Sequence, residues 1–255
     1  MTADSYRYAH WYDLLWSRGA VAPPELALLE PLARAAGHVL DVGAGTGRIA
    51  LALAEAGVTV SCLEPSPAMR AVFLAKLAQR PQLFPRITLL PDSITTAALP
   101  SSVGLAYLAG VLHHLLTLDE LDAALAQLHQ ALAPGGRLVL DSVAAQPTTL
   151  PLPPTLAGEV PIGALVYRTT MRQELLAPAI HRWTFRYEIL HGDALIECTD
   201  NVSIAREWLR EELATALLRH GFVLEAVYGD YSGEPPTDES RSLVLVAQRK
   251  EQIDV

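Results

Sequence analysis

The stretch of this sequence best suited to chemistry runs Val39-Leu40-Asp41-Val42-Gly43-Ala44-Gly45-Thr46-Gly47-Arg48. An apolar run containing an acid is followed by three glycines at alternate positions, and then by a helical pattern. Such a strand–turn–helix brings backbone against a ligand, because no Cβ stands in the way. A dinucleotide fingerprint would space its glycines G-x-G-x-x-G and lay a pyrophosphate on the helix N-terminus. Here the third glycine comes one residue early, and Arg48 stands where that pattern needs glycine, which argues against NAD or FAD. Asp41, just before the turn, repels a phosphate and suits an ammonium group. The second reactive feature is His113-His114, since imidazole titrates near neutrality and serves as a proton acceptor. Capping or packing of the following helix is the competing role for that pair.

The elements that must position these residues alternate along the chain. Val39 to Val42 reads as a buried strand, Arg48 to Ala56 as a helix and Val58 to Leu63 as a second strand. Ser66-Pro67 opens another helix, with an N-cap followed by proline at the first position. Ile87 to Leu90, Val103 to Leu108 and Arg137 to Leu140 supply further strands. A helix from Leu118 to Leu132 precedes the last of these and is stopped by Pro134-Gly135-Gly136. Strands that are apolar throughout and alternate with helices predict a parallel sheet covered on both faces, a doubly wound α/β fold.

The pattern changes near Gln146. Pro147, Pro151, Pro153, Pro154 and Pro161 mark a loop that excludes helix or central strand. Leu165 to Leu175 and Ile180 to Leu190 then alternate with period two, placing Trp183, Phe185, Tyr187 and Ile189 on one face. His191-Gly192-Asp193 reads as a tight turn into a third strand, Ala194 to Thr199. Three antiparallel strands with one apolar face predict a lid. A helix from Ile204 to His220 and strands at Phe222 to Tyr228 and Ser242 to Ala247 follow.

Composition narrows the partners. The 255 residues are 51% hydrophobic and 18% charged, with a net charge of −9. No basic stripe suited to a nucleic-acid backbone is present, which argues against that partner class. No apolar run reaches the length of a membrane span, and the first residues lack the features of a signal peptide, so a cytoplasmic location is expected. Cys62 and Cys198 are far apart and match no metal spacing; each lies in an apolar run and is expected to be a buried free thiol. No metal site is expected.

Four of these features occur in the order found in the class I S-adenosylmethionine-dependent methyltransferases, which the sequence resembles from Leu32 to Ser142. The resemblance implies that Asp41, Gly43, Ala44, Gly45 and Gly47 wrap the methionine part of the cofactor. Glu64, with Pro65 beside it, would bind the ribose hydroxyls. Asp92-Ser93 would meet adenine, with an Asx-type turn after Pro91 as the competing role. A carbonyl at Leu108 or Ala109 would meet the cofactor's amino group. Trp11 and Tyr12, in the aromatic N-terminal segment that also holds Trp16, would close over cofactor or substrate, unless they only dock that helix. His114, ahead of His113, would be the base for an oxygen acceptor. The division implied is a helical cap over 1–30, a cofactor-binding core over 31–145, a β insert over 146–203 and a completing helix and strand pair over 204–250.

Acceptor recognition is expected from the insert, as in similar glycine and amino-sugar N-methyltransferases. Tyr167, Arg168, Arg172, Trp183, Arg186 and Tyr187 are the candidates there. The arginines would fork onto a substrate carboxylate and the aromatics would wall an apolar body, which predicts a small, partly acidic metabolite. His181 and His191 are expected at the surface. Methylation of N, O or C stays open, and so does use of the same cofactor for cyclisation, alkyl transfer or pericyclic chemistry. A non-catalytic cofactor-binding partner subunit also stays open.

Overall fold

A computed structural model describes residues 6, 8–16, 23–143, 154–238, 240 and 242–250. The proline-marked stretch from Gln146 to Pro153 and the end of the chain beyond Lys250 lie outside the described residues, as does the Trp16 side chain. In chain order the elements are α1 (Ala9–Trp16), α2 (Leu26–Ala36), β1 (His38–Val42), α3 (Arg48–Glu55), β2 (Thr59–Leu63), α4 (Pro67–Ala78) and β3 (Ile87–Leu90). They continue with β4 (Val103–Leu108), α5 (Leu118–Ala131), β5 (Leu132–Val143), β6 (Thr155–Ile162), β7 (Leu165–Ala177) and β8 (Ile180–His191). The chain ends with β9 (Ala194–Arg206), α6 (Arg210–Arg219), β10 (Phe222–Tyr228) and β11 (Ser242–Arg249).

Seven strands form one sheet in the order β10-β11-β5-β4-β1-β2-β3. Its β1 to β5 pairings are parallel, and β11 runs antiparallel to both β5 and β10. The α/β pattern arises because strand residues are buried on both faces. Leu40, Val42 and Leu108 pack with the α5 and α6 residues Leu125 and Leu217. Val39, Val60 and Leu105 pack with Leu29, Leu53 and Phe73 of α2, α3 and α4. Neighbouring β1 and β4 mark the point where strand order reverses, so the crevice beyond their C-terminal ends is where such a sheet takes a ligand. The glycine turn follows β1 and Gly110 follows β4, one on each side of that crevice.

The insert is a separate antiparallel sheet ordered β6-β7-β8-β9, with four strands where three are expected. The fourth is β6, which holds Pro161; as the outermost strand it loses no interior ladder bond to a proline. The strand β9 also runs to Arg206, where the sequence spacing predicts helix from Ile204. His181, Arg182, Trp183 and Thr184 pair with Ala205, Ile204, Ser203 and Val202. That ladder overrides the local helical pattern, and α6 begins only at Arg210. Likewise β5 takes in the Pro134-Gly135-Gly136 segment and starts directly after α5. Cys62 is fully buried as expected, whereas Cys198 is only partly so, on an outer strand of the insert.

Candidate active site

The three glycines of the turn all have positive φ, 73° at Gly43, 57° at Gly45 and 77° at Gly47. The three glycines serve different ends. A Cβ on Gly43 would stand 2.5 Å from a Val111 methyl, and one on Gly47 would stand 2.5 Å from the Phe73 ring. A Cβ on Gly45 would meet nothing nearer than the Gly43 carbonyl at 4.0 Å. Two of the three are therefore excluded from bearing side chains by the protein's own packing, and only Gly45 opens onto free space.

Glu64, which follows β2, is 5% exposed and its carboxylate is gripped by backbone. Gly45 N donates to Oε2 at 2.7 Å and Ser66 N donates to Oε1 at 2.7 Å. One carboxylate thus ties the glycine turn to the start of α4, with exposed Pro65 between. The helix α1 is tied to the same turn, since Thr46 Oγ1 donates to Asp13 at 2.6 Å and Lys76 Nζ reaches it at 2.7 Å. Arg48 forks onto Glu25 at 2.6 and 2.7 Å instead of facing a ligand.

Asp41 lies in register between Cys62 and Tyr107, all three buried. Burial is the largest influence on its carboxyl; the Tyr107 hydroxyl and Arg48 offset this only partly, Glu64 adds to it, and the pKa is pushed up to about 7. At the β5 end Asp141 accepts from Gly110 N at 2.8 and 3.0 Å and from the Tyr231 hydroxyl at 2.9 Å. Burial still raises its carboxyl to about 6. Asp92 is held by local bonds, accepting from Ser93 N at 2.8 Å and from the Thr96 hydroxyl, and these lower its pKa.

A cavity of about 410 Å³ lies between the sheet end and the insert. Met69 and Gly110 come from the core, Tyr6, Tyr8, Ala9 and Tyr12 from the N-terminal segment, and Met171, Gln173, Trp183, Phe185, Tyr187, Asn201, Ser203 and Glu207 from the insert. The predicted period-two face of β8 is what supplies its aromatic wall. Tyr12 lines it, whereas Trp11 is 6% exposed and packs its ring between Tyr167 and Tyr187 at 5.1 and 5.2 Å. Trp11 therefore docks α1 on the insert.

His113, and not His114, lines the cavity, with its ring 5.0 Å from Trp183. His114 Nε2 is bonded to the Tyr6 hydroxyl at 2.6 Å. Burial pushes His113 down to about 3, helped by His114, and pushes His114 down to about 4. Both are neutral acceptors at physiological pH and poor holders of a proton. Arg168 and Arg172 lie on the opposite face of β7 from the cavity residues Met171 and Gln173, because strand side chains alternate. They pair with Glu159 and Glu174 respectively, and Arg186 with Glu188. No lysine or arginine is found among the described lining residues, so the expected clamp on a substrate carboxylate is not assembled. His181, expected at the surface, is 4% exposed beside Gln173 and Glu207. Alternation from Tyr167 on β7 reaches Gln173, whereas nothing in the sequence marks Glu207.

Residues 40–138 match the family model described as a methyltransferase domain. That stretch resembles a methyltransferase domain. An uncharacterized methyltransferase of Bacillus thuringiensis is 32% identical over 138 residues, covering 52% of this chain and 62% of that protein. The match thus spans under two thirds of that relative's length. Among solved structures, a methyltransferase from Streptomyces caelestis has a TM-score of 0.76 at 23% identity, covering 95% of this chain and 96% of that one. An amino pentose methyltransferase from Micromonospora echinaspora, involved in calicheamicin biosynthesis, has a TM-score of 0.71 at 22% identity, covering 98% of both chains. These structural likenesses establish that the core and its insert together share the fold of those methyltransferases. Among the described residues no helix is long and apolar enough to cross a membrane.

The buried groups of the domain predict an unusual pH response. Asp41 and Asp141, raised in the folded state, contribute stability that is present at low pH and lost as pH rises from about 4 through about 7 and 6. His113 and His114, lowered in the folded state, act oppositely: their contribution is lost as pH falls below about 6.5 toward 4 and 3. The two pairs oppose each other, so Asp41 and Asp141 blunt the fall in melting temperature that the buried histidines, with His129 acting in the same direction, cause as pH drops from about 6.5 to about 4.5. Asp41→Asn removes half of the carboxyl side of the balance and should leave melting that climbs more steeply with pH over that window. A calorimetric melting series at fixed ionic strength checks this; an unchanged profile in the variant would show that Asp41 is ionised on folding.

Proposed function

We propose that the chain is an S-adenosylmethionine-dependent methyltransferase acting on a small organic molecule, with an amine nitrogen as the acceptor atom. The observation that supports this best is the joint between Gly45 and Glu64 at the strand-order reversal, opening beside an aromatic cavity. The residues fit the cofactor. Space at Gly45 that a side chain would fill suits the methionine part, with Asp41, Gly43, Ala44 and Gly47 shaping the turn. A carboxylate has about four acceptor sites, so the backbone grip on Glu64 is compatible with ribose hydroxyls beside Pro65. Asp92 and Ser93, just after β3, would meet adenine, and the Leu108 and Ala109 carbonyls at the end of β4 would meet the cofactor's amino group. The buried, high-pKa Asp41 suits a cofactor that brings positive charge.

Bound there, the sulfonium supplies an electrophilic methyl carbon. The chain's own share is to bind, align and exclude water, which lowers the barrier without covalent work. Tyr12 and the wall of Trp183, Phe185 and Tyr187 shield the cavity, and neutral His113 offers a hydrogen-bond acceptor inside it. A cavity of this size admits a small molecule and not a folded polymer. The amine reading draws on the fold shared with the amino pentose methyltransferase and on the lack of a guanidinium among the lining residues.

Calorimetric titration with S-adenosylmethionine and S-adenosylhomocysteine is the direct test. Micromolar binding of both is expected, and Glu64→Gln should weaken both by about tenfold or more through loss of charge-assisted bonds. A folded protein that binds neither compound would end this reading.

A further inference from the structure

Glu207 ends the insert sheet just after β9 and is the one carboxylate among the described lining residues. Its setting is built and not incidental. Glu207 N donates to the Ala179 carbonyl at 2.8 Å, which fixes the backbone. Its Oε2 lies 3.3 Å from Nε2 of His181, a residue 4% exposed. On the far side of that ring, Gln173 Nε2 stands 3.0 Å from Nδ1. With the Gln173 amide donating to Nδ1, the imidazole carries its proton on Nε2, the atom that faces Glu207. That contact is too poorly aligned to satisfy the His181 Nε2 proton, which is left buried without a hydrogen-bond partner. No lysine or arginine pairs with the carboxylate among the described residues, although the side chain is only 19% exposed.

A partly desolvated carboxylate without a counter-charge is unfavourable unless something positive completes it. Tyr8, Trp183 and Phe185 line the same cavity, and aromatic rings are partners that a cation gains from and an anion does not. Trp183 Nε1 is also buried without a partner among the described residues, so a ligand that brings an acceptor oxygen near the cation would satisfy both groups. We infer that Glu207, packed against His181, is the group that binds the acceptor amine as its ammonium, selects amines over neutral analogues, and receives the proton the nitrogen must give up before it attacks the methyl carbon. This rests on the proposed methyltransferase reading for the word acceptor, but the cation site itself stands on the geometry alone.

Benzylammonium and benzyl alcohol, equal in shape and different in charge, are suitable probes. Ligand-observed NMR titration of the full chain is run with and without S-adenosylhomocysteine, on the wild type first and then on the near-isosteric Glu207→Gln. Wild type is expected to hold the ammonium at least about tenfold tighter than the alcohol, in keeping with a charged hydrogen bond. Glu207→Gln should reduce that preference to about twofold or less while its affinity for S-adenosylhomocysteine stays within about threefold of wild type. A wild type without the preference overturns the inference, and that result needs no variant. A folded variant that keeps the preference overturns it as well. Failure of S-adenosylhomocysteine to bind either protein removes the methyltransferase reading, and the amine preference then still decides the role of Glu207.

Discussion

Gly45→Arg is expected to abolish binding of S-adenosylmethionine while leaving a cooperatively folded protein. The reason lies in what surrounds the site. A side chain at 45 meets open space, with the nearest atom 4.0 Å from its Cβ, so it occupies the crevice and displaces nothing of the protein. The left-handed backbone there, φ 57°, costs a non-glycine residue about 1–2 kcal/mol. For a chain of this size that lowers melting by roughly 2–8 °C. Binding should fall by at least about a hundredfold, near 2.7 kcal/mol, because the new side chain fills the space the ligand needs. Gly47→Ala is the control with the opposite signature. Its Cβ would lie 2.5 Å from the fully buried Phe73 ring. Overpacking of that kind costs about 1–3 kcal/mol beyond the backbone strain. Melting should therefore drop further than in Gly45→Arg, while the protein that remains folded binds with nearly native affinity. Scanning calorimetry and titration of both variants separate the two. Unchanged affinity in Gly45→Arg would place the cofactor elsewhere.

This contrast also shows what the sequence can and cannot convey. The spacing of Gly43, Gly45 and Gly47 after a buried strand announces a tight turn, and the alternation of strand and helix announces the sheet that carries it. Both are local signals. The sequence does not tell which glycine makes room for a ligand and which for Phe73, because that depends on how α4 packs over the turn. Period two in β8 was enough to put Trp183, Phe185 and Tyr187 on one face. The same alternation, carried back along β7 from Tyr167, puts Arg168 and Arg172 on the other face. Their charge made them attractive as ligand contacts, yet the parity of their positions already set them against it. The strand β6 was hidden by its prolines, which an outer strand tolerates. The end of β9 was hidden by a helical spacing that only its ladder with β8 overrides. His113 and His114 were equally visible, but a partner from the N-terminal segment, Tyr6, decides which of them faces the cavity.

Trp208 carried no signal of its own beyond being a large aromatic residue, and its replacement is expected to have the largest effect on stability. The indole is 1% exposed, and its Nε1 donates to the carbonyls of Leu112 and Leu115 at 3.2 and 3.0 Å. Those carbonyls flank the short 3-10 turn Leu112–His114 that presents His113 to the cavity. Its own carbonyl accepts from Ser142 Oγ of β5 at 2.9 Å, and the Arg206 guanidinium lies 3.9 Å above the ring. One residue therefore joins the end of the insert sheet, the core sheet and the histidine turn, the core sheet through its backbone and the turn through its indole. Trp208→Ala should cost about 3–5 kcal/mol for the cavity left behind. Orphaning a shared donor's acceptors adds to this, and melting should fall by about 10 °C or more. Trp208→Phe retains most of the packing and removes only the N–H, so about 1–3 kcal/mol is expected from the two unsatisfied carbonyls. The informative readout is local. His114 N and Leu115 N close the turn by donating to Val111 and Leu112 carbonyls. In Trp208→Phe those two amides should exchange hydrogen at least about tenfold faster, whereas amides of β1 and β4 change only as global stability does. Equal protection at the turn in wild type and Trp208→Phe would show that the indole fills space without holding His113. In that event the cavity's histidine would be positioned by its contact with Trp183 and by the Tyr6 bond to its neighbour.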